Sequence, residues 1–306
     1  MTCRSLGLKM SDGSSHLLQK AAGYLSCPDV ERIAYIRSPK WIGYPRAQDI
    51  LSQLEKLLAH PKSHRMPNLL IIGDTNNGKT MLVQRFCGRH KPQDNPEGEA
   101  AVVPVLYVQA PPVPDESRFY NAILELLFAP YKPGDRADRK QFQAIKLLRA
   151  VGLKMLIIDE IHHILAGAMT KQKAFLNVIK YLGNELEVPI VGVGTRDAFR
   201  AIQTDLQLSN RFDRALLPRW SNDEEFLRLL ATFERMIPLR HPSELIDGAL
   251  ADRIYSMSEG YLGEISRVLA TAAVVAVETG QERIDKQVLN HIGWIPPSER
   301  RKEPRA

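Results

Sequence analysis

Cysteine is scarce in this 306-residue chain: Cys3, Cys27 and Cys87 are scattered and show no C-x-x-C spacing. That count excludes a disulfide framework and a cysteine-built zinc site, and it fits a reducing compartment. No apolar stretch of signal-peptide length follows Met1, and no apolar run approaches the length that spans a bilayer. The expectation is a cytoplasmic protein with no membrane partner. Internal repeats are absent as well. Aromatic residues are 7% and charged residues 25%, against 44% hydrophobic, the balance of an ordinary globular chain with ample length for a core. A formal net charge of +6 permits contact with nucleic acid without requiring it.

What the chain does contain is a short apolar run, Leu69 to Ile72, followed by Gly73-Asp74-Thr75-Asn76-Asn77-Gly78-Lys79-Thr80. This is G-x-x-x-x-G-K-T, the phosphate-binding loop of nucleotide hydrolases. Gly73 and Gly78 let the backbone turn so that successive N–H groups converge on phosphate oxygens. Lys79 brings a point charge to the β/γ-phosphates, and Thr80 offers a hydroxyl to Mg²⁺. Met81 to Phe86 continue as a helix whose positive N-terminus faces the anion.

The segments around the loop alternate. A helix is predicted over 47–59, and Pro61 and Pro67 break the chain before the first strand. Val102 to Val108 read as a second strand, followed by helices over 117–128 and about 139–150. Lys154-Met155-Leu156-Ile157-Ile158-Asp159-Glu160 is a third strand ending in two acids. A helix near 171–185 leads to a fourth strand, Pro189 to Thr195. Strands alternating with helices imply a parallel sheet covered on both faces, a three-layer α/β/α core. From Trp220 the pattern is helical only: Asp223–Met236, Glu244–Met257, Leu262–Glu278 and a short helix over 285–292, with a stop at Gly280. These readings divide the chain into a leader (1–45, a candidate partner-binding segment), a P-loop core (46–218), a small all-α lid (219–295) and a basic flexible tail (296–306).

Asp159 and Glu160 fall at the carboxyl edge of the sheet beside the phosphate loop. Asp159 is placed to hold Mg²⁺, and Glu160 to polarise the water that attacks the γ-phosphate. His162 and His163 follow; with no second ligand pair at zinc-like spacing, a structural or solvent-facing role is the expectation. Thr195 ends the fourth strand, where a hydroxyl can contact the γ-phosphate or the attacking water. Arg211, with Arg214 second, is the candidate for an arginine that neutralises charge on a neighbouring subunit's γ-phosphate. Arg267 opens a helix after Gly260 and Gly263 and is a candidate contact to the nucleotide from the lid.

Together these residues resemble the AAA+ ATPases, and more narrowly the TniB/TnsC group of transposition regulators. The narrower features are Trp41-Ile42-Gly43-Tyr44-Pro45, Arg65-Met66-Pro67-Asn68, the Asn76-Asn77 pair in the loop, Gly192-Val193-Gly194-Thr195 and Asn210-Arg211-Phe212. The resemblance covers most of 30–290. It implies ATP and Mg²⁺ as cofactors and an ATPase whose hydrolysis is an assembly switch. It also implies a homo-oligomeric ring or helical filament on double-stranded target DNA, a DDE transposase (TniA/TnsB-like) to recruit, and a TniQ-type targeting protein. By position, Trp41, Ile42 and Tyr44 lie near the nucleotide base or pack as ordinary apolar residues.

DNA contacts are less legible. Arg118, Lys132, Arg136, Arg139, Lys140, Lys171 and Lys173 are candidates for sequence-independent phosphate contact. Two other readings share the phosphate loop. An AAA+ helicase loader or replication initiator differs only in its partner surface. A small-molecule kinase has no use for a trans arginine or for the helical region carrying Arg267. A GTPase is disfavoured because no N-K-x-D follows the loop.

Overall fold

A computed structural model of the chain describes residues 15–98, 100–300 and 302. Cys3, the first fourteen residues of the leader, and 301 and 303–306 of the tail lie outside them. The chain divides into two compact units, Pro45–Pro218 and the described residues of Met1–Tyr44 with Arg219–Ala306.

The leader opens the second of these units. It holds a helical turn, α1 (Gln19–Ala22), and a longer helix, α2 (Asp29–Arg37). Helix α2 begins directly after Pro28, with Asp29 and Glu31 in the first turn favouring its positive end. Its Ile36, and Ile42 beyond it, join the helical unit's apolar core.

The Pro45–Pro218 unit begins with α3 (Pro45–Leu58) and is built on β1 (Asn68–Gly73) and the helix after the phosphate loop, α4 (Lys79–Cys87). Then come β2 (Val105–Gln109), α5 (Glu116–Leu126), α6 (Ala137–Ala150), β3 (Met155–Asp159), α7 (Met169–Leu186), β4 (Ile190–Gly194), α8 (Arg196–Gln203), the turn α9 (Leu206–Ser209) and β5 (Phe212–Leu217). All five strands are parallel, in the order β2-β3-β4-β1-β5. Strand β4 thus lies between β1 and β3. Strands β1, β3 and β4 are buried along their whole length, as central parallel strands with helices on both faces must be.

Two differences from the sequence expectation have physical causes. The second strand starts at Val105, because the bonds that continue a ladder stop at Pro104, whose carbonyl instead accepts from the Lys154 and Met155 N–H groups. The fifth strand is absent from the sequence pattern, which offers only Asn210-Arg211-Phe212 there. It is an edge strand: Phe212, Ala215 and Leu217 are buried and Asp213, Arg214 and Leu216 exposed, so no apolar run announces it.

The C-terminal helices are α10 (Glu224–Met236), α11 (Gly248–Ser258), α12 (Leu262–Glu278), α13 (Lys286–His291) and a turn α14 (Pro297–Arg300). Helix α11 starts four residues later than its apolar spacing suggests. The Ser243, Glu244 and Leu245 N–H groups donate to the Glu234 carboxylate, and Asp247 caps Ala249 and Leu250. The predicted stop at Gly280 is met, in the left-handed region at φ +72°. Phe226, Leu230, Ile254, Ile265, Leu269 and Ala272 centre this unit's core.

Arg32 of α2 is fully buried in the same unit. Its guanidinium donates to Glu282 Oε1 at 2.9 Å, Glu282 Oε2 at 2.6 Å and the Pro238 carbonyl at 3.0 Å. This fork ties the leader to the C-terminal helices. Among the described residues no single helix is long and apolar enough to cross a membrane.

Candidate nucleotide-binding site

Strand β1 delivers the phosphate loop to the carboxyl edge of the sheet, and α4 carries the chain away from it. Gly78, the residue before α4, sits at φ +83°, a conformation that a side chain would strain. Gly73 is needed for a different reason. Its backbone is not left-handed, but a Cβ there would lie 2.9 Å from the Leu217 carbonyl and 3.1 Å from Leu217 Cβ across the β1–β5 pair. Asn76 also takes a positive φ, 62°, which a short polar side chain tolerates.

Lys79 is buried, and its Nζ donates to the Gly73 and Asp74 carbonyls, each at 2.9 Å. Burial lowers its pKa, against the raising influence of Glu160, Asp159 and Asp74. The Asn77 side chain is committed elsewhere: its Nδ2 donates to the Leu217 and Pro218 carbonyls, both at 2.8 Å, bracing the loop on the end of β5. What Asn77 can present to a phosphate is therefore its backbone. Thr75, Asn76, Thr80 and Met81 are exposed at the rim, and Asp74 lies 3.8 Å from Arg196 Nε at the start of α8.

Asp159 ends β3 opposite the loop. Its Oδ2 accepts from Thr80 Oγ1 at 3.2 Å and from the Tyr107 hydroxyl at 2.5 Å, and its Oδ1 accepts from the Glu160 N–H at 2.8 Å. No sequence motif marks Tyr107. Burial, and then its bond to Asp159, push its phenol well above the usual range, so it stays a donor. The signal available was its place on β2, two residues before Gln109, which pairs with Asp159.

Glu160 takes φ +54° immediately after β3 and turns its carboxylate toward His162, with 3.2 Å between Glu160 Oε2 and His162 Nε2. His162 is held below the ordinary imidazole range, chiefly by burial, against the raising charge of Glu160. Thr195 stands between β4 and α8; its Oγ1 is buried and has no hydrogen-bond partner among the described residues. An orphaned hydroxyl at this edge, a buried lysine, a Gly-turned loop and paired acids form the donor set that a triphosphate with Mg²⁺ requires. The residues fit that group.

One expected site residue of the same unit, Arg211, stands apart from this cluster. Arg211 lies at the start of β5, at the sheet edge opposite the loop, since Asn68 pairs with Phe212 and Gly73 with Leu217. Five residues of strand separate the two edges, roughly 16 Å at about 3.3 Å per residue. Its Nη1 donates to Asn184 Oδ1 of α7 at 2.8 Å. Arg214, the second choice, is exposed and packs its guanidinium 4.8 Å from the Phe199 ring centre. Arg267 belongs to the helical unit, where Nη1 meets Glu264 Oε1 at 3.2 Å and the guanidinium lies over Trp294. Arg300 of α14 pairs with the same carboxylate, although a flexible tail is the expectation for 296–306. Ile42 is buried in this unit's core and Tyr44 packs edge-on to Trp220, both in apolar packing.

Among the basic candidates for DNA, Lys140 is excluded. It is buried, and its Nζ donates to Ser117 Oγ and the Pro133 carbonyl, each at 2.9 Å. Arg118, Arg136 and Arg139 each pair with a nearby aspartate, Asp115, Asp138 and Asp135, which offsets their charge locally. Lys171 and Lys173 at the start of α7 are exposed.

The family model described as bacterial TniB protein matches residues 32–222. No curated protein matches the sequence. Among solved structures, the Aeropyrum pernix ORC2 protein in ADPNP–ADP complexes superposes with a TM-score of 0.59 at 15% identity, over 84% of this chain and 70% of that one. Cdc6p from Pyrobaculum aerophilum gives 0.57 at 17%, over 85% and 69%. A point variant of Thermotoga maritima RuvB gives 0.50 at 17%, over 84% and 72%. The shared fold is the AAA+ P-loop α/β fold with a C-terminal helical region.

Proposed function

The chain belongs to the TniB family, and from that membership we propose that it is an ATP-hydrolysing regulator of DNA transposition. In this reading it oligomerises on double-stranded target DNA in its ATP state, recruits a DDE transposase of the TniA/TnsB type with a TniQ-type targeting protein, and comes apart on hydrolysis. The observation that carries the reading is the split arrangement of the site. Lys79, Thr80, Asp159, Glu160 and Thr195 gather at one edge of the sheet, while Arg211 stands at the opposite edge. Completing the site then takes a second copy.

The roles follow from the side chains. Lys79, released from the Gly73 and Asp74 carbonyls, neutralises the β/γ-phosphates, and the loop N–H groups from Asp74 to Thr80 cradle them. Thr80 and Asp159 would hold Mg²⁺, which supplies charge neutralisation across the phosphate oxygens. Glu160 orients the attacking water and accepts its proton; Thr195 donates to that water or to the γ-phosphate. Arg211 of an adjacent copy offers a planar fork to charge that develops during transfer. Arg267 is the lid's contact with nucleotide.

Sedimentation and electron microscopy of the chain with duplex DNA and a non-hydrolysable ATP analogue test the reading. Oligomers that need both DNA and nucleotide are expected; persistent monomers would overturn it. Glu160→Gln should trap the assembly and Lys79→Ala prevent it. An assembly that captures a replicative helicase and ignores a DDE transposase would favour the loader reading, which the Cdc6p-like fold also accommodates.

A further inference from the structure

Glu160, His162 and His163 form a group that the nucleotide chemistry does not use in full. The residue after β3 is Glu160, in the left-handed region, and a short 3₁₀ helix, Ile161–Ala166, then carries both histidines. This turn points both Nε2 atoms toward one carboxylate. Glu160 Oε2 lies 3.2 Å from His162 Nε2 and 4.0 Å from His163 Nε2, and one donor atom from each residue fits within 4.8 Å of the others. The far sides of the rings are closed off. Both Nδ1 atoms are buried without a hydrogen-bond partner among the described residues, and Gly194 backs His162 so closely that a Cβ there would sit 3.1 Å from Nδ1. The open nitrogens are therefore the two that face Glu160.

We propose that Glu160, His162 and His163 form a binding site for a borderline-soft divalent transition metal, of which Zn²⁺ is the type, separate from the Mg²⁺ position at Thr80 and Asp159. Donor chemistry separates the two. Two imidazoles and one carboxylate suit zinc, cobalt or nickel, whereas the hydroxyl and carboxylate of Thr80 and Asp159 suit magnesium. Tetrahedral zinc with bonds of about 2.0–2.1 Å sets its ligand atoms roughly 3.3 Å apart. The Glu160–His162 pair is already at that separation, Glu160–His163 closes by less than an ångström, and the two histidines, within 4.8 Å of each other, close by at most about 1.5 Å. Three protein ligands leave a fourth position open to water or a phosphate oxygen. Neither Nδ1–H has the acceptor that usually orients a zinc-bound histidine, which sets the affinity well below that of a structural zinc site. Resting on the proposed role of Glu160, the consequence is inhibition: a carboxylate bound to zinc cannot take a proton from water, so zinc holds the protein in its ATP state.

Titration of the nucleotide-free full-length chain with Zn²⁺, against a chromophoric competitor, reads the site directly. Co²⁺ in place of Zn²⁺ adds a visible absorption that reports three-ligand, near-tetrahedral coordination. One equivalent is expected to bind, weakened about ten-fold or more in His162→Gln, in His163→Gln and in Glu160→Gln. Circular dichroism of each variant establishes that it is folded. Binding that survives in the folded double variant His162→Gln/His163→Gln within two-fold, or no binding to the parent chain, overturns the site. Zinc binding as expected, with Glu160→Gln hydrolysing ATP like the parent, would leave the metal site standing and refute the role given to Glu160.

Discussion

Replacing Arg32 by alanine should unfold the helical unit far more readily than its place in an N-terminal leader suggests. The side chain is fully buried, its partner Glu282 is 11% exposed, and the pair is bidentate at 2.9 and 2.6 Å. Deleting the arginine leaves a buried carboxylate whose remaining bond from a described group is the Arg240 N–H at 3.2 Å, with the exposed Arg240 side chain 3.4 Å away. Breaking a buried pair from one side costs roughly 3–5 kcal/mol, against about 0–1 kcal/mol for an exposed pair. For a unit of this size that is a fall in Tm of about 10–20 °C. Thermal and urea denaturation followed by circular dichroism measure it. The double variant Arg32→Met/Glu282→Leu should recover most of the loss, because no charge is then left buried. A loss under about 1 kcal/mol for Arg32→Ala would refute the claim that this fork anchors the leader. The pH dependence supplies a second check. Burial alone raises the Glu282 pKa, but the bonds and charge of Arg32 outweigh it, and the carboxyl ends below its ordinary value. Its contribution is therefore fully present above the unfolded carboxylate value, about 4.3, and is lost as pH falls through the lower folded value. The parent should lose stability across that acidic window, and Arg32→Ala should lack that increment.

Three other outcomes are expected. Gly73→Ala should cost about 1–3 kcal/mol and abolish nucleotide binding, since its Cβ meets the Leu217 backbone, while Gly134→Ala, with open space around it, serves as the neutral control; equal nucleotide affinity in the two, measured by calorimetry, would refute the steric argument. Tyr107→Phe should raise the Mg²⁺ concentration for half-maximal hydrolysis roughly ten-fold by freeing the Asp159 carboxylate to rotate; an unchanged Mg²⁺ requirement would show that the phenol does not position it. Arg211→Ala mixed with Glu160→Gln should regain hydrolysis that neither has alone, if the arginine acts on a neighbour's site; mixtures as inactive as the separate variants would place it elsewhere.

How much of this is legible depends on what a residue's neighbours in sequence reveal. The buried strands β1, β3 and β4 announce themselves, because a central parallel strand is apolar on both faces and so is a continuous run. From their order the loop, the two acids and Thr195 fall on one sheet edge without further information. Strand β5 is hidden by the same logic, since an edge strand mixes Asp213 and Arg214 with Ala215 and Leu217. The loop motif marks Gly73 as indispensable, but for the wrong cause: a sequence shows the glycine and cannot show Leu217 lying against it. Asn77 likewise belongs to the loop by position, yet its amide is spent on the end of β5.

The less legible residues are those whose partners are far away in the chain. Arg32 and Glu282 are separated by 250 positions, and each looks like an ordinary surface charge on its own helix or turn. Lys140 looks like a phosphate contact because lysine is usually solvated, but it fills its donors inside the α5–α6 layer. In its proposed role, Arg211 extends the same point beyond one molecule. Nothing within its own unit calls for a planar cation at the start of β5, where it meets a neutral amide at 2.8 Å. A neutral partner holds a guanidinium less firmly than a carboxylate does, so this arginine is the more easily redirected to an anion brought by another copy. A carboxylate introduced at that partner, Asn184→Asp, should capture the arginine and lower the hydrolysis stimulated by assembly while leaving nucleotide binding by the monomer intact. If stimulated turnover in Asn184→Asp equals that of the parent, Arg211 is not the residue that completes the site.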